Sequence, residues 1–376
     1  MKNTIRLIGI AMVIMISALL FSNDVQAAGT NIADKFEKSF VNAVCEKYSI
    51  TEEEFTTEWA TKQTRLELSN MEIGGIDKGG NNPNVLAQYF PNLEKLDLSN
   101  NELGGLPNFP ATLKEIDCSG NNIDGLPNFP AGLTKLNVNN NKLVALPNLP
   151  ATLIELNVED NNLEGLPDLP AGLKVLNVNG NGLEALPALP AGLSELYANN
   201  NNLPGLPDLP ETLRNLDLSN NNLPGLPDLP KNLVNLDLSY NELPALPDLP
   251  EDLKTLNLSN NELTELPILP PTLNSLDITG NTGIKKVEEE QLPTTLQEFK
   301  TDLIKADNGN YYDSLDNIEE NDSEENSDEN NSEEESKSEE EKDETPKTGI
   351  ASYVAIAVGV AVISTIAVVY LRKRNA

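Results

Sequence analysis

Leucines return at a fixed step along most of this chain. Between residues 206 and 225 they occupy Leu206, Leu209, Leu213, Leu216, Leu218 and Leu223, with mostly polar residues between them, and the same set begins again at Leu226. The Leu-Pro pair recurs at Leu106, Leu126, Leu146, Leu166, Leu186, Leu206, Leu226, Leu246 and Leu266, always 20 residues on. Leu216 and Leu218 are two apart, which places both on one side of a short strand. Leu213, Leu223 and Leu226 complete the inner face of the same coil. One coil cannot bury this set alone. Stacked coils bury it against those above and below, and their strands then form a parallel sheet. The stretch from Leu66 to Phe299 leaves room for about a dozen coils.

Two other letters, asparagine and proline, are as periodic as the leucines. Asn101, Asn121, Asn141, Asn161, Asn181, Asn201, Asn221, Asn241, Asn261 and Asn281 share one slot. An amide offers donors and an acceptor together, which suits a tight turn where backbone groups lack partners. These residues are expected to form an inward structural ladder, with Met71 holding the slot in an atypical first coil. Pro207 and Pro210 stand for the second pair. Proline fixes φ and removes a donor, which excludes a helix on the return side of the coil and favours an extended path.

The unit Leu-x-x-Leu-x-Leu-x-x-Asn-x-Leu, written here as Leu213, Leu216, Leu218, Asn221 and Leu223, resembles the leucine-rich repeat. With its Leu-Pro-x-Leu-Pro lead it is similar to the short 20-residue form of secreted bacterial effectors. The resemblance implies a curved leucine-rich repeat solenoid with a parallel β-sheet on its concave face, an extended, polyproline-like convex side and a small helical N-terminal cap. Some effectors of that group carry a ubiquitin-ligase domain with a catalytic cysteine. This chain has an acidic segment and an apolar run after its repeats, so that activity does not carry over.

Both ends of the stack need lids. Ile32, Phe36, Phe40, Val41 and Val44 fall at helical spacing between Asn31 and Tyr48. Thr51 and Glu54 read as a capping box opening a second helix, with Phe55 and Trp59 four apart on one face. At the far end the step breaks, the next Leu-Pro arriving at Leu292, and residues 283–302 are expected to close the stack. The predicted order is a signal peptide over 1–27, a helical cap over 28–62, repeats with a closing coil over 63–303, an acidic stalk over 304–344 and a sorting signal over 345–376.

The signal reading rests on Lys2 and Arg6, the uncharged run Ile8 to Phe21 and the small-x-small pattern Val25-Gln26-Ala27. At the other end Ile350 to Leu371 carries no charge and is followed by Arg372-Lys373-Arg374, enough for a membrane span with a cytoplasmic stop. Before it stand Thr345-Pro346-Lys347-Thr348-Gly349. This arrangement resembles the sorting signal of Gram-positive cell-wall proteins, with Thr345 where the usual motif has Leu. The resemblance implies a sortase and peptidoglycan as partners, and Thr348 as the residue joined to the wall. An uncut membrane anchor is the other reading. Asp313 to Glu344 carries 17 acidic and 2 basic residues. Such a segment buries too little apolar area to fold and is expected to be a solvated stalk. Cap, repeats and sorting signal together resemble internalin-like surface proteins of Gram-positive bacteria, a group that attaches to host or neighbouring surfaces and shares no enzymatic activity.

Composition then narrows the function. The formal net charge of −33 argues against nucleic acid as a partner. There is no histidine, hence neither the usual general base nor the commonest zinc ligand. Cys45 and Cys118 are read as small buried thiols. No enzyme, cofactor or metal site is expected, and the molecule is expected to be a monomer. Specificity must sit in letters that vary between coils. One outward column runs Asp97, Asp117, Asn137, Asn157, Asn177, Tyr197, Asp217, Asp237, Asn257, Asp277; the next runs from Ser99 through Glu159 to Thr279. Tyr197 and Tyr240 are the aromatics assigned to this face, and with Asp217, Asp237 and Glu159 they are the candidate contacts for an extracellular or host protein or glycan. The alternatives are exposed filler for the tyrosines, a calcium ladder for the aspartates, and for the whole chain a passive wall protein that spaces or shields the envelope.

Overall fold

A computed structural model describes residues 29–314. The predicted signal peptide, most of the acidic stalk, the sorting signal and the apolar run 350–371 lie outside these residues. Among the described residues no helix is long and apolar enough to cross a membrane.

The repeats form a parallel sheet of twelve strands in sequence order. They are β1 (Arg65–Glu67), β2 (Lys95–Asp97), β3 (Glu115–Asp117), β4 (Lys135–Asn137), β5 (Glu155–Asn157), β6 (Val175–Asn177), β7 (Glu195–Tyr197), β8 (Asn215–Asp217), β9 (Asn235–Asp237), β10 (Thr255–Asn257), β11 (Ser275–Asp277) and, after the two-residue β12 (Lys286–Val287), β13 (Glu298–Lys300). Register is that of the sequence period, Leu216 facing Leu236 and Leu256 facing Leu276. From β1 to β11 each strand buries its middle residue, and Phe299 in β13 is half-buried. Leu213, Leu218 and Leu223 are fully buried and Leu216 nearly so, while Leu226 is only half-buried. Truncating any of the fully buried leucines would cost about 2–5 kcal/mol. The return side contains no helix in the 20-residue coils. It runs extended through both prolines and ends in a turn closed by Leu213 N donating to Pro210 O at 3.0 Å, a bond repeated in neighbouring coils.

The asparagine slot joins each coil to the one before. Asn221 Nδ2 donates to Ala198 O of the preceding coil at 2.9 Å and to Leu218 O of its own at 3.0 Å. Its Oδ1 accepts from Leu203 N at 3.1 Å. Asn101 does the same for the first coil, its Oδ1 accepting from Ile73 N and also from Met71 N. A second ladder, not anticipated from the sequence, lies on the return side. Thr152 Oγ1 donates to Ala131 O at 2.8 Å and Leu133 O at 2.7 Å, and Thr112, Thr212, Thr272 and Thr295 act alike. The turn after each strand needs one left-handed residue. Asn100, Asn140, Asp160, Asn200, Asn220 and Asn260 fill it, as do Gly120, Gly180 and Gly280. These residue types tolerate positive φ best.

The N-terminal cap departs from expectation in detail. A 3₁₀ turn at Ala33–Lys35 precedes α1 (Lys38–Tyr48), because Glu37 is extended and caps α1 by accepting from Ser39 N. The Thr51–Glu54 box is present, Thr51 N donating to Glu54 Oε2 at 2.7 Å, but it holds only a turn. The following helix, α2 (Thr57–Thr61), is capped instead by Thr56, whose Oγ1 accepts from Trp59 N. Phe36, Phe40, Phe55 and Phe90 pack their rings together beneath the cap. Phe90 follows a helix absent from the sequence reading, α3 (Val85–Tyr89), which lies in the longer first coil between β1 and β2. The phenol of Tyr48 meets the outer edge of β1, accepting from Glu67 N at 3.1 Å and donating to Arg65 O at 3.2 Å.

The closing end extends further than expected. β14 (Ile304–Lys305) and β15 (Tyr311–Tyr312) join β12 in an antiparallel sheet of order β12-β15-β14. Residues 304–312, assigned above to the stalk, therefore belong to the folded closing element. Buried Tyr312 and the edge-on packing of Tyr311 against Phe299 at 5.1 Å hold them there.

Candidate functional site

Outward-facing residues on either side of each buried strand residue make a regular surface along the sheet. Two grooves cross it. One, of about 550 Å³, is lined by residues of β2 to β7, among them Lys95, Glu115, Lys135, Glu155, Val175 and Tyr197. The other, of about 510 Å³, runs from Tyr197 through Asn215, Asn235, Thr255 and Ser275 to Lys300. Tyr197 is common to both. Its hydroxyl donates to Glu195 Oε2 at 2.8 Å, and burial, followed by that carboxylate, pushes the phenol up to about 12.

The first residue of each strand, a column the sequence reading passed over, supplies most of the chemical variety. The signal was available: the residue before Leu96 faces outward for the same reason as the residue after it. From β2 to β5 the column alternates in sign. Lys95 pairs with Glu115 across one coil, and Lys135 with Glu155 at 2.7 Å. Lys95 beside Glu115 holds that carboxyl below its ordinary range. Val175 then breaks the charge. From Asn215 to Ser275 the column is neutral, with Thr255 Oγ1 donating to Asn235 Oδ1 and Asn235 Nδ2 to Asn215 Oδ1, each at 2.7 Å.

The candidate contacts named from the sequence are distributed differently. Asp217 and Asp237 line the second groove, yet their oxygens are already engaged. Asp217 Oδ1 accepts from Ser219 N at 3.0 Å and Ser219 Oγ at 2.7 Å, and its Oδ2 accepts from Asn199 Nδ2 at 2.8 Å. Asp237 is bound in the same way by Ser239 and by Asn257 Nδ2 at 3.0 Å. Their partner serines, expected to line the surface, are folded into these turns, and Ser239 and Ser259 are buried. Glu159 Oε2 accepts from Asn177 Nδ2 at 3.0 Å. Tyr240 is not on the sheet face. It occupies the left-handed slot after β9, at φ 55°, with 59 % of its surface exposed, and lines neither groove. Tyr197 and Tyr240 thus sit on different features, one in the sheet and one on the turn edge.

No group of three or more carboxylate or thiol side chains could hold a metal ion among the described residues. Cys118 is fully buried, and that burial raises its thiol far above the ordinary range; Cys45 is raised for the same reason. Both thiols are free.

A family profile described as Leucine Rich repeats (2 copies) matches residues 91–131, and one described as Leucine Rich Repeat matches residues 212–233 and 252–276. No curated protein matches the chain. Among solved structures, YopM from Yersinia enterocolitica WA-314 is similar at 40% identity and a TM-score of 0.54, over 56% of this chain and 47% of that one. The chain therefore spans about half the length of that relative. A Shigella effector leucine-rich-repeat domain is similar at 36% identity over 40% of this chain and 70% of that one, with a TM-score of 0.38. The functional domain of InlJ from Listeria monocytogenes matches at 21% identity and a TM-score of 0.55, over 73% of this chain and 71% of that one, a likeness of fold. With its in-register parallel strands, inward leucines and matching family profiles, the repeat region of this chain is a leucine-rich-repeat solenoid.

Proposed function

We propose that this chain is a non-enzymatic surface protein that binds a protein partner through the outward face of its sheet and the turn edge beside it. One observation carries the reading: an aromatic, half-buried at 197 and exposed at 240, stands at two places where the repeat otherwise supplies small polar residues. Tyr197 interrupts a column of Asp and Asn. Tyr240 occupies a slot filled in other coils by Asn, Asp or Gly, and holds a left-handed backbone that costs a bulky residue about 1–2 kcal/mol. Neither is needed by the framework. Large amphipathic side chains of this kind are favoured contact anchors. The engaged oxygens of Asp217, Asp237 and Glu159 make these three supports of the surface and secondary contacts only.

In this reading the protein is exported, and Thr348 is joined to peptidoglycan by a sortase, with retention in the cell membrane as the alternative fate. The binding claim is tested with a photo-crosslinking amino acid placed in the full-length chain at 197, at 240 or at 268. Ile268 is the control, lying on the return side with 92 % of its surface exposed. Adducts with surface proteins of a host cell are expected from positions 197 and 240, and a Tyr197→Ala change should diminish the adduct at 240. Equal labelling from all three positions would favour a passive shielding protein with no dedicated face.

A further inference from the structure

The residue just before each strand belongs to a continuous row. Ser194 N donates to Lys174 O at 2.8 Å, and Arg214 N to Ser194 O, Val234 N to Arg214 O and Lys254 N to Val234 O, each at 2.9 Å. Neighbouring coils in such a ladder are about 4.8 Å apart, so Lys174, Arg214 and Lys254, at every second coil, stand about 10 Å from one another. All three are exposed. Among the described residues none of them has a carboxylate within ion-pair distance, although Lys174 Nζ donates to Gly192 O at 3.1 Å. The cations on the other half of the same face behave differently: Lys95, Lys114 and Lys135 are each paired with a glutamate.

Scarcity of acid does not explain the contrast, since the chain has 59 acidic residues against 26 basic ones. The cause is which residues stand nearby. In the first half Glu94 meets Lys114 within the row, and Glu115 and Glu155 meet Lys95 and Lys135 within the adjoining column of first strand residues. In the second half Ser194 and Val234 separate the cations within the row, Asn215, Asn235, Thr255 and Ser275 stand along Arg214 and Lys254, and Glu195 is taken by Tyr197. These amides and hydroxyls line the second groove together with Asp217, Asp237 and Asp277, whose Oδ1 atoms are engaged by Ser219, Ser239 and Thr279, and can bond a main chain lying across them.

We infer, resting on the outward-face reading above, that this row and groove receive an extended acidic segment of a partner protein, running along the stacking direction with carboxylates three residues apart. An extended chain rises about 3.3 Å per residue, so every third side chain recurs at about 10 Å and meets successive cations. The negative field of the rest of the molecule repels an unbroken run of acid and selects a sparse one. Runs such as Glu333-Glu334-Glu335 in the chain's own acidic segment fit the spacing poorly.

The experiment uses the full-length chain and two fluorescent ten-residue peptides of equal composition. One has Glu at every third position and Ser elsewhere; the other has its four Glu clustered. Anisotropy titrations should show the spaced peptide binding about tenfold more tightly, the sum of three exposed ion pairs, with the advantage falling as salt is raised. The variant K174E/R214E/K254E should lose that preference and prefer a peptide with Lys at every third position, which also shows that it is folded. Equal binding of the two acidic peptides, or indifference of the spaced peptide to the triple substitution, overturns the proposal. So does displacement of the spaced peptide by polygalacturonate at lower concentration than by unlabelled peptide, which would assign the row to an acidic glycan. If the peptides fail while crosslinking from 197 and 240 persists, this inference falls and the outward-face reading stands.

Discussion

Asn201 is buried and connects two coils through four hydrogen bonds. Its amide donates to Val178 O, Ala198 O and Asn199 O, and its oxygen accepts from Leu183 N. Asn201→Ala leaves these backbone groups without partners and should cost about 1–3 kcal/mol. The adjacent Asn200 is exposed, but its φ of 53° makes alanine a poor control there. Asn200→Gly should be close to neutral, because glycine accepts left-handed backbone freely. Urea unfolding of the two variants checks this, and equal midpoints would show that the buried amide is not a structural tie. At this scale the inward slots were legible because identity repeats with period. The commitments of Asp217 and Asp237 were not drawn from the sequence, although Asp-Leu-Ser carries the signature of a side chain that closes its own turn two residues on. The sequence reading puts Tyr240 on the sheet face, next to a column that runs through Ser239. The strand ends at Asp237, and the left-handed turn carries Tyr240 to the edge.

The cap shows what an element must do at the end of such a stack. β1 has a neighbour on one side only, and an unpaired strand edge leaves main-chain groups open to other chains. Tyr48, delivered by the last turn of α1, covers two of them through its phenol oxygen. Tyr48→Phe keeps the ring packed on Trp59 and removes only the oxygen. It should destabilise the first coil by about 1 kcal/mol and speed amide exchange at Glu67, with Asp217 in mid-sheet unchanged. Hydrogen exchange followed by mass spectrometry reads both; unaltered protection at Glu67 would mean that other contacts hold the edge. The sheet from β2 to β11 could be read from period alone, because there each strand pairs with the next in sequence. The elements that escaped were those outside the period. α3 is five residues long in an irregular coil, and β12, β14 and β15 are two residues each, paired across stretches with no repeating pattern to follow.

For the molecule as a whole, the proposed attachment at Thr348 decides where the binding face is presented. Muramidase digestion of producing cells should release the repeats as a series of wall-bearing species lacking residues 349–376. Release of an uncut mature chain by detergent alone would instead establish membrane retention. The edge plug at Tyr48 carries a further consequence. Parallel, in-register strands of near-identical sequence, stacked about 4.8 Å apart, are also the geometry of an amyloid filament, where each exposed end recruits another copy. This chain supplies its own successive layers and then blocks the first of them with a phenol. The cap is therefore a chain terminator in the polymer sense, and a protein stripped of it would present a growing end to every other copy.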